Sequence, residues 1–99
     1  MRAIAKKPGE DFKVVNVPNT LEALQEYVGG YIEVVQLYGD VAIICNEEGR
    51  LKRQKYNCTV DGISFVGDIL FVGTEGEEFG DLPEDFVQDF EDYIENYIE

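Results

Sequence analysis

Seven carboxylates, Glu84, Asp85, Asp89, Glu91, Asp92, Glu95 and Glu99, crowd the last sixteen positions of this chain, with no Lys or Arg among them. Four more, Glu75, Glu77, Glu78 and Asp81, precede them in the stretch Gly73 to Asp81. Carboxylates can hold a cation, move a proton or attract a basic partner. Their abundance makes no single pair diagnostic of acid–base catalysis. The 73–81 stretch lacks the regular Asp/Asn spacing of a calcium loop and reads as a flexible acidic loop. The chain has no His, which removes the commonest general base and zinc ligand. It also has no glycine-rich phosphate cradle followed by Lys. The expectation is a protein that is not an enzyme and uses no metal or cofactor.

Recognition is the remaining chemistry, and charge is its strongest signal. The 99 residues carry 8 basic and 21 acidic side chains, a net charge of −13. Residues 1–55 hold all 8 basic residues and 8 acidic ones, so the excess lies wholly in residues 56–99, which hold 13 acidic residues. Such a surface repels nucleic acid and anionic membranes and attracts basic proteins. From Leu82 to Ile98 the apolar residues Leu82, Phe86, Phe90, Tyr93, Ile94, Tyr97 and Ile98 repeat at helical spacing. Asp85–Asp89, Glu91–Glu95 and Glu95–Glu99 are then like-charged neighbours four apart, and Asp89–Asp92 and Asp92–Glu95 three apart. Together these pairs cost on the order of 1–2 kcal/mol at low salt. A straight helix would spread the seven charges over roughly 22 Å, close to the spacing of about 3.4 Å per charge on one DNA strand. Two readings stay open: a solvated face, or an imitation of a phosphate backbone that occupies a protein's nucleic-acid groove.

Arg50, Lys52, Arg53 and Lys55 form a basic counterpoint. They read as an exposed edge strand that cations protect from pairing with other chains. In the alternative, Asn46, Arg50, Lys52, Tyr56 and Asn57 face a pocket for a small anionic ligand such as a signalling nucleotide. Cys45 ends an apolar run and reads as buried; Cys58 stands in the polar Tyr56-Asn57-Cys58-Thr59 and should tolerate Ser. Two reduced thiols are expected. There is no secretory leader and no apolar run near the roughly 20 residues of a membrane span, so a cytoplasmic protein is expected.

These residues need a scaffold, and the punctuation describes one. Arg2–Lys6 and Phe12–Val17 read as strands around a turn at Pro8–Asp11. A helix begins at Asn19, which with Glu22 makes a capping box, and ends at Gly29-Gly30. Tyr31–Leu37 and Val41–Cys45 form a hairpin across Tyr38-Gly39-Asp40, and Asn46–Gly49 is a turn. Ile63–Val66 and Asp68–Val72 read as one strand bent at Gly67. The expected fold is one α+β domain spanning residues 1–99: a mostly antiparallel sheet of five to six short strands with two helices, the C-terminal one amphipathic and acidic.

The segments Tyr27-Val28-Gly29-Gly30-Tyr31-Ile32-Glu33, Asn46-Glu47-Glu48-Gly49-Arg50-Leu51 and Gly67-Asp68-Ile69-Leu70-Phe71-Val72-Gly73 together resemble a family of short uncharacterised proteins carried by phages and conjugative elements. That family has an Asn about ten residues after the Asn-Glu-Glu-Gly turn, matched here by Asn57, while Lys52-Arg53-Gln54-Lys55 replaces its usual small Gly-containing stretch. The resemblance brings no catalytic residues. It implies a setting in which small acidic proteins disarm host defence, some by occupying the Arg- and Lys-lined surfaces of CRISPR nucleases. The implied role is a stoichiometric anti-CRISPR or other anti-defence inhibitor in the host cell.

Overall fold

The computed structural model describes residues 1–99. Its elements are β1 (Arg2–Lys6), β2 (Lys13–Asn16), α1 (Leu21–Val28), β3 (Ile32–Gln36), β4 (Val41–Asn46), β5 (Tyr56–Val60), β6 (Ile63–Val66), β7 (Ile69–Glu75), β8 (Glu78–Gly80), α2 (Glu84–Gln88) and α3 (Phe90–Tyr97). The main sheet is antiparallel, in the order β2-β1-β7-β4-β3, and β8 also pairs with β7. The α+β class and the six-stranded antiparallel sheet agree with the sequence reading.

The two most apolar runs, Val41–Cys45 and Ile69–Val72, become the two central strands and are buried throughout. Successive side chains of a strand point to opposite faces, so each run serves two cores. Ala42, Ile44, Leu70 and Val72 join Ala3 and Ala5 beneath Leu24 and Val28 of α1. Val41, Ile43, Cys45, Ile69 and Phe71 face the other way, against Cys58, Val60 and Phe65 of the β5–β6 hairpin and Leu82, Phe86, Phe90 and Tyr93 of the C-terminal segment. The sheet is thus the middle of three layers. No helix is long and apolar enough to cross a membrane.

Several expectations need correction. Ile63–Val66 and Ile69–Val72 are not one bent strand. They lie in different sheets, and the chain passes between them at Gly67, whose φ of +72° suits glycine. The missing partner of β6 is β5, which pairs with it across Asp61-Gly62. Both turn residues have positive φ (+49° and +80°), the geometry of a type I′ hairpin turn. Arg50–Lys55 is no strand but a run of turns, with Arg53 at φ +53°, so the edge-strand reading falls. Helix α1 is capped by Thr20, whose Oγ1 accepts from the Ala23 N–H at 3.2 Å. Asn19 instead donates through Nδ2 to the Phe79 carbonyl at 2.7 Å, tying the helix start to β8. The predicted helix end holds: Gly29 adopts φ +79°, and its N–H reaches the Gln25 carbonyl at 2.8 Å.

The acidic helix is two helices. Asp89 (φ −96°, ψ 14°) interrupts it, where the like-charged Asp85–Asp89 pair lends the turn no support. The break keeps Leu82, Phe86, Phe90 and Tyr93 on the core, where Phe90 meets Phe12 at 5.1 Å, Phe71 at 5.4 Å and Phe86 at 5.5 Å between ring centroids. After Tyr97 the chain becomes extended: Ile98 bridges Val60, and Thr59 and Glu99 exchange both backbone hydrogen bonds, at 2.8 and 3.1 Å.

Candidate functional site

Every one of the eleven carboxylates singled out in the sequence is exposed, because each falls between the buried positions of its element. Glu84 and Asp85 occupy the first turn of α2, Asp89 the junction, and Glu91, Asp92 and Glu95 the outer side of α3. Glu99 lies beyond the helix on the β5 edge. Because of the break and the extended end, the seven charges do not form the straight 22 Å row expected of one helix. The stretch 73–81 is not a flexible loop either. Residues 69–75 and 78–80 pair as a hairpin turning at Gly76-Glu77, with Glu75 opposite Glu78. Asp81 is partly structural: its Oδ1 accepts from the Arg2 N–H at 2.7 Å.

None of these carboxylates meets a cation of the chain. The only ion pairs are Lys7–Asp68 at 2.9 Å and Lys13–Glu10 at 3.9 Å. No group of three or more carboxylates or thiols converges tightly enough to hold a metal ion.

A cleft of about 400 Å³ opens among these acidic residues. Asp85 enters it from the first turn of α2, Asp89 from the α2–α3 junction and Asp40 from the turn between β3 and β4, and Tyr38, Phe86 and Tyr93 form its aromatic walls. Tyr38 is half exposed, Tyr93 is 6% exposed, and their rings lie 6.0 Å apart at 33°. Burial, aided by the nearby Tyr38, Asp61 and Tyr97, pushes the Tyr93 hydroxyl up to about 12, so it stays protonated at neutral pH. Sequence reasoning missed Tyr38 and Asp40. They sit some 45 residues before Asp85, and only the β4–β7 pairing and the packing of α2 on that face bring them together.

The five residues of the alternative ligand site are dispersed. Asn46 is buried, donating to the Val28 carbonyl at 3.0 Å and accepting from the Glu48 N–H at 2.8 Å, which joins the end of α1 to β4. Asn57 is also buried, and its Nδ2 donates to the carbonyls of Lys6 (2.8 Å) and Gly67 (2.7 Å). Arg50 donates to the Ser64 carbonyl at 2.7 Å, beside a small cavity of about 210 Å³ that Asn46 also lines. Tyr56 is exposed and shares a hydrogen bond with Thr59, while Lys52 extends over Gly30. Both amides are thus engaged with the chain's own backbone.

The thiols are free and buried. Cys45 is pushed up to about 11 by burial and by the neighbouring Glu33 carboxylate, and Cys58 is raised by burial. The expectation that Cys58 is peripheral fails, because the bulge after Tyr56 turns it into the core.

This three-layer α+β domain belongs to the family described as a domain of unknown function (DUF3846), which matches residues 1–95. No curated protein and no solved structure matches the chain.

Proposed function

We propose that this protein acts by binding: its acidic face, built by α2, α3 and the tip of the β7–β8 hairpin, docks one-to-one on the basic groove of a nucleic-acid-binding protein and excludes the nucleic acid. One observation carries the reading. All eleven carboxylates of α2, α3, the β7–β8 hairpin and the segments flanking them are exposed, and none is paired with any of the chain's eight cations. A sequence under pressure only for stability would intersperse Lys and Arg there, because like charges at helical spacing cost free energy. The resemblance to mobile-element proteins makes a CRISPR effector or another defence nuclease the partner class to examine first. The broken helix refines the picture of mimicry. The charges present themselves as two short helical groups and a hairpin tip, which suits a contoured groove better than a straight channel.

The test is a variant in which Asp85, Asp89, Asp92 and Glu95 become Asn or Gln. The apolar side of the two helices is untouched, so the variant should melt at or above the temperature of the parent. The parent should displace DNA or guide RNA from such a nuclease at equimolar ratio, and the variant should not. A variant that folds and still displaces nucleic acid as the parent does would refute the proposal.

A further inference from the structure

Strand β3 is one of the two outer strands of the main sheet, and its free side is unguarded. The Glu47 N–H donates to the Tyr31 carbonyl and the Leu37 N–H to the Val41 carbonyl, so the odd-numbered residues of this strand engage β4 with their backbone groups. In an antiparallel pair the groups of the alternate residues point away. Those of Ile32, Val34 and Gln36 therefore point outward, where no further strand lies. Proteins ordinarily blunt such an edge with Lys, Pro or a bulge. The other outer strand, β2, carries Lys13 and follows Glu10-Asp11. Strand β3 has none of these devices. Its register with β4 is unbroken, and from Gly29 to Gly39 the only charged residue is Glu33. Val34 at its centre is 44% exposed, and Tyr31 and Tyr38 at its ends are more exposed still.

We infer that this edge is the interface of a two-fold dimer, in which β3 pairs antiparallel with β3 of a second copy and joins two main sheets into one. The inference is independent of the docking proposal, because β3 carries none of the eleven carboxylates. A second copy fits because the strand is complementary to itself. With Val34 opposite its own symmetry mate, Ile32 meets Gln36 in both directions and Glu33 meets Val35. All the outward groups are then paired, and no like charges stand directly opposite. The same register runs Gly30 toward Tyr38 of the other copy. The Lys52 Nζ lies 3.1 Å from where a Cβ on Gly30 would stand, and Asp40 is in the turn that follows Tyr38. The two-fold axis thus brings each Lys52 ammonium toward the other copy's Asp40, and neither group has an ion pair within its own chain. A net charge of −13 opposes self-association through the acid-rich faces, which leaves this nearly uncharged strand as the place where two copies can approach. A two-fold contact also closes on itself, whereas β3 against β2 of the next copy would propagate. Two five-residue edges bury less than the roughly 1,200 Å² of a standard stable interface, so the dimer is a weak, micromolar one.

Sedimentation equilibrium of the full chain at physiological salt, from about 1 to about 200 µM, covers the range of so small an interface. The mean mass should rise reversibly from one chain to two. Val34→Lys places two cations at the axis without entering the core and should weaken dimerisation at least about tenfold. Val14→Lys, at an equally exposed position on the β2 edge, should leave the dimer unchanged. Lys52→Glu and Asp40→Lys should each weaken it, and the two together should restore it. The last pair lies outside the strands, so it tests the inference even if Val34→Lys fails to fold. A parent that stays monomeric over the whole range overturns the inference. So does a dimer that survives Val34→Lys in a folded protein, or one that Val14→Lys disrupts instead. Masses that climb past two chains would show open-ended pairing and overturn the two-fold arrangement, and charge changes that add rather than compensate would overturn its register.

Discussion

Glu75 and Glu78 stand directly opposite each other as the last paired residues of the β7–β8 hairpin, two like charges closing a turn. Directly opposed like charges destabilise a strand pair, whereas a β-branched residue there would favour it. Glu78→Thr should therefore raise stability by about 0.5 kcal/mol, read from urea denaturation midpoints. If the hairpin tip belongs to the docking face, the same variant should bind a basic partner more weakly. A loss of stability instead would show that the pair is held by contacts outside the hairpin.

The uncompensated charge should give salt two opposite effects. Raising ionic strength from about 10 mM to about 150 mM shortens the screening length from about 30 Å to about 8 Å. Repulsion within the acidic face should weaken and the melting temperature should rise, while affinity for a basic partner should fall steeply. Calorimetry and titration on the same samples check both. Binding that is flat with salt would point to an apolar interface elsewhere.

Cys58 and Cys45 are core residues; Cys58→Ser buries a hydroxyl in an apolar setting, at a cost of about 1–3 kcal/mol, whereas Cys45→Ser should cost less because the Glu33 carboxylate beside it can accept from the hydroxyl. Chemical denaturation of each variant measures this. In the native parent, both thiols should react with a thiol reagent far more slowly than in the unfolded chain. Fast native labelling of Cys58 would contradict its burial.

Alkali should unfold the protein. Cys45, raised from its ordinary value to about 11, and Tyr93, raised to about 12, hold their protons longer in the folded state than in the unfolded state. Their contribution is complete below the ordinary thiol and phenol values. As pH rises, the unfolded chain loses these protons first, so stability falls from about pH 9 and is lost as pH passes through the folded-state values. A denaturation series from pH 7 to 11 should show this decline. Cys45→Ala should be less stable at neutral pH but flatter across the series.

Asn57 holds two carbonyls that no other side chain reaches, those of Lys6 and Gly67. Asn57→Ala leaves both buried ends short of a donor and should cost about 1–3 kcal/mol. Lys52→Ala and Tyr56→Phe, at exposed positions, should stay within about 0.5 kcal/mol of the parent. A destabilisation confined to Asn57 assigns it a role in holding β5 against the crossing at Gly67. An unchanged melt would return it to the ligand-site reading.

The sequence by itself determined the elements with strong local periodicity and the sign of the surface. The runs Val41–Cys45 and Ile69–Val72 had to be inner strands, since five or four consecutive apolar residues are hidden only by cover on both faces. The Gly29 cap and the acid-free, aromatic side of the C-terminal segment were equally legible, because each rests on neighbours within one turn. The Asp61-Gly62 turn went unread, although Asp-Gly is a hairpin signal, because the polar Tyr56–Thr59 run masked the strand before it. Tertiary structure decided the rest. That Ile63–Val66 and Ile69–Val72 belong to different sheets depends on which partners lie beside them, and one-residue steps at Gly67 carry no such information. The break at Asp89 goes with keeping Phe86 and Phe90 on Phe71, and Tyr93 on Phe86, a demand set in part by a strand that is distant in sequence. Likewise, Asp40 and Tyr38 join Asp85, Asp89 and Tyr93 only because strand pairing carries one turn to the foot of the helices. Charge and hydrophobic period are written residue by residue; the shape of a cleft is a property of pairs far apart in the chain.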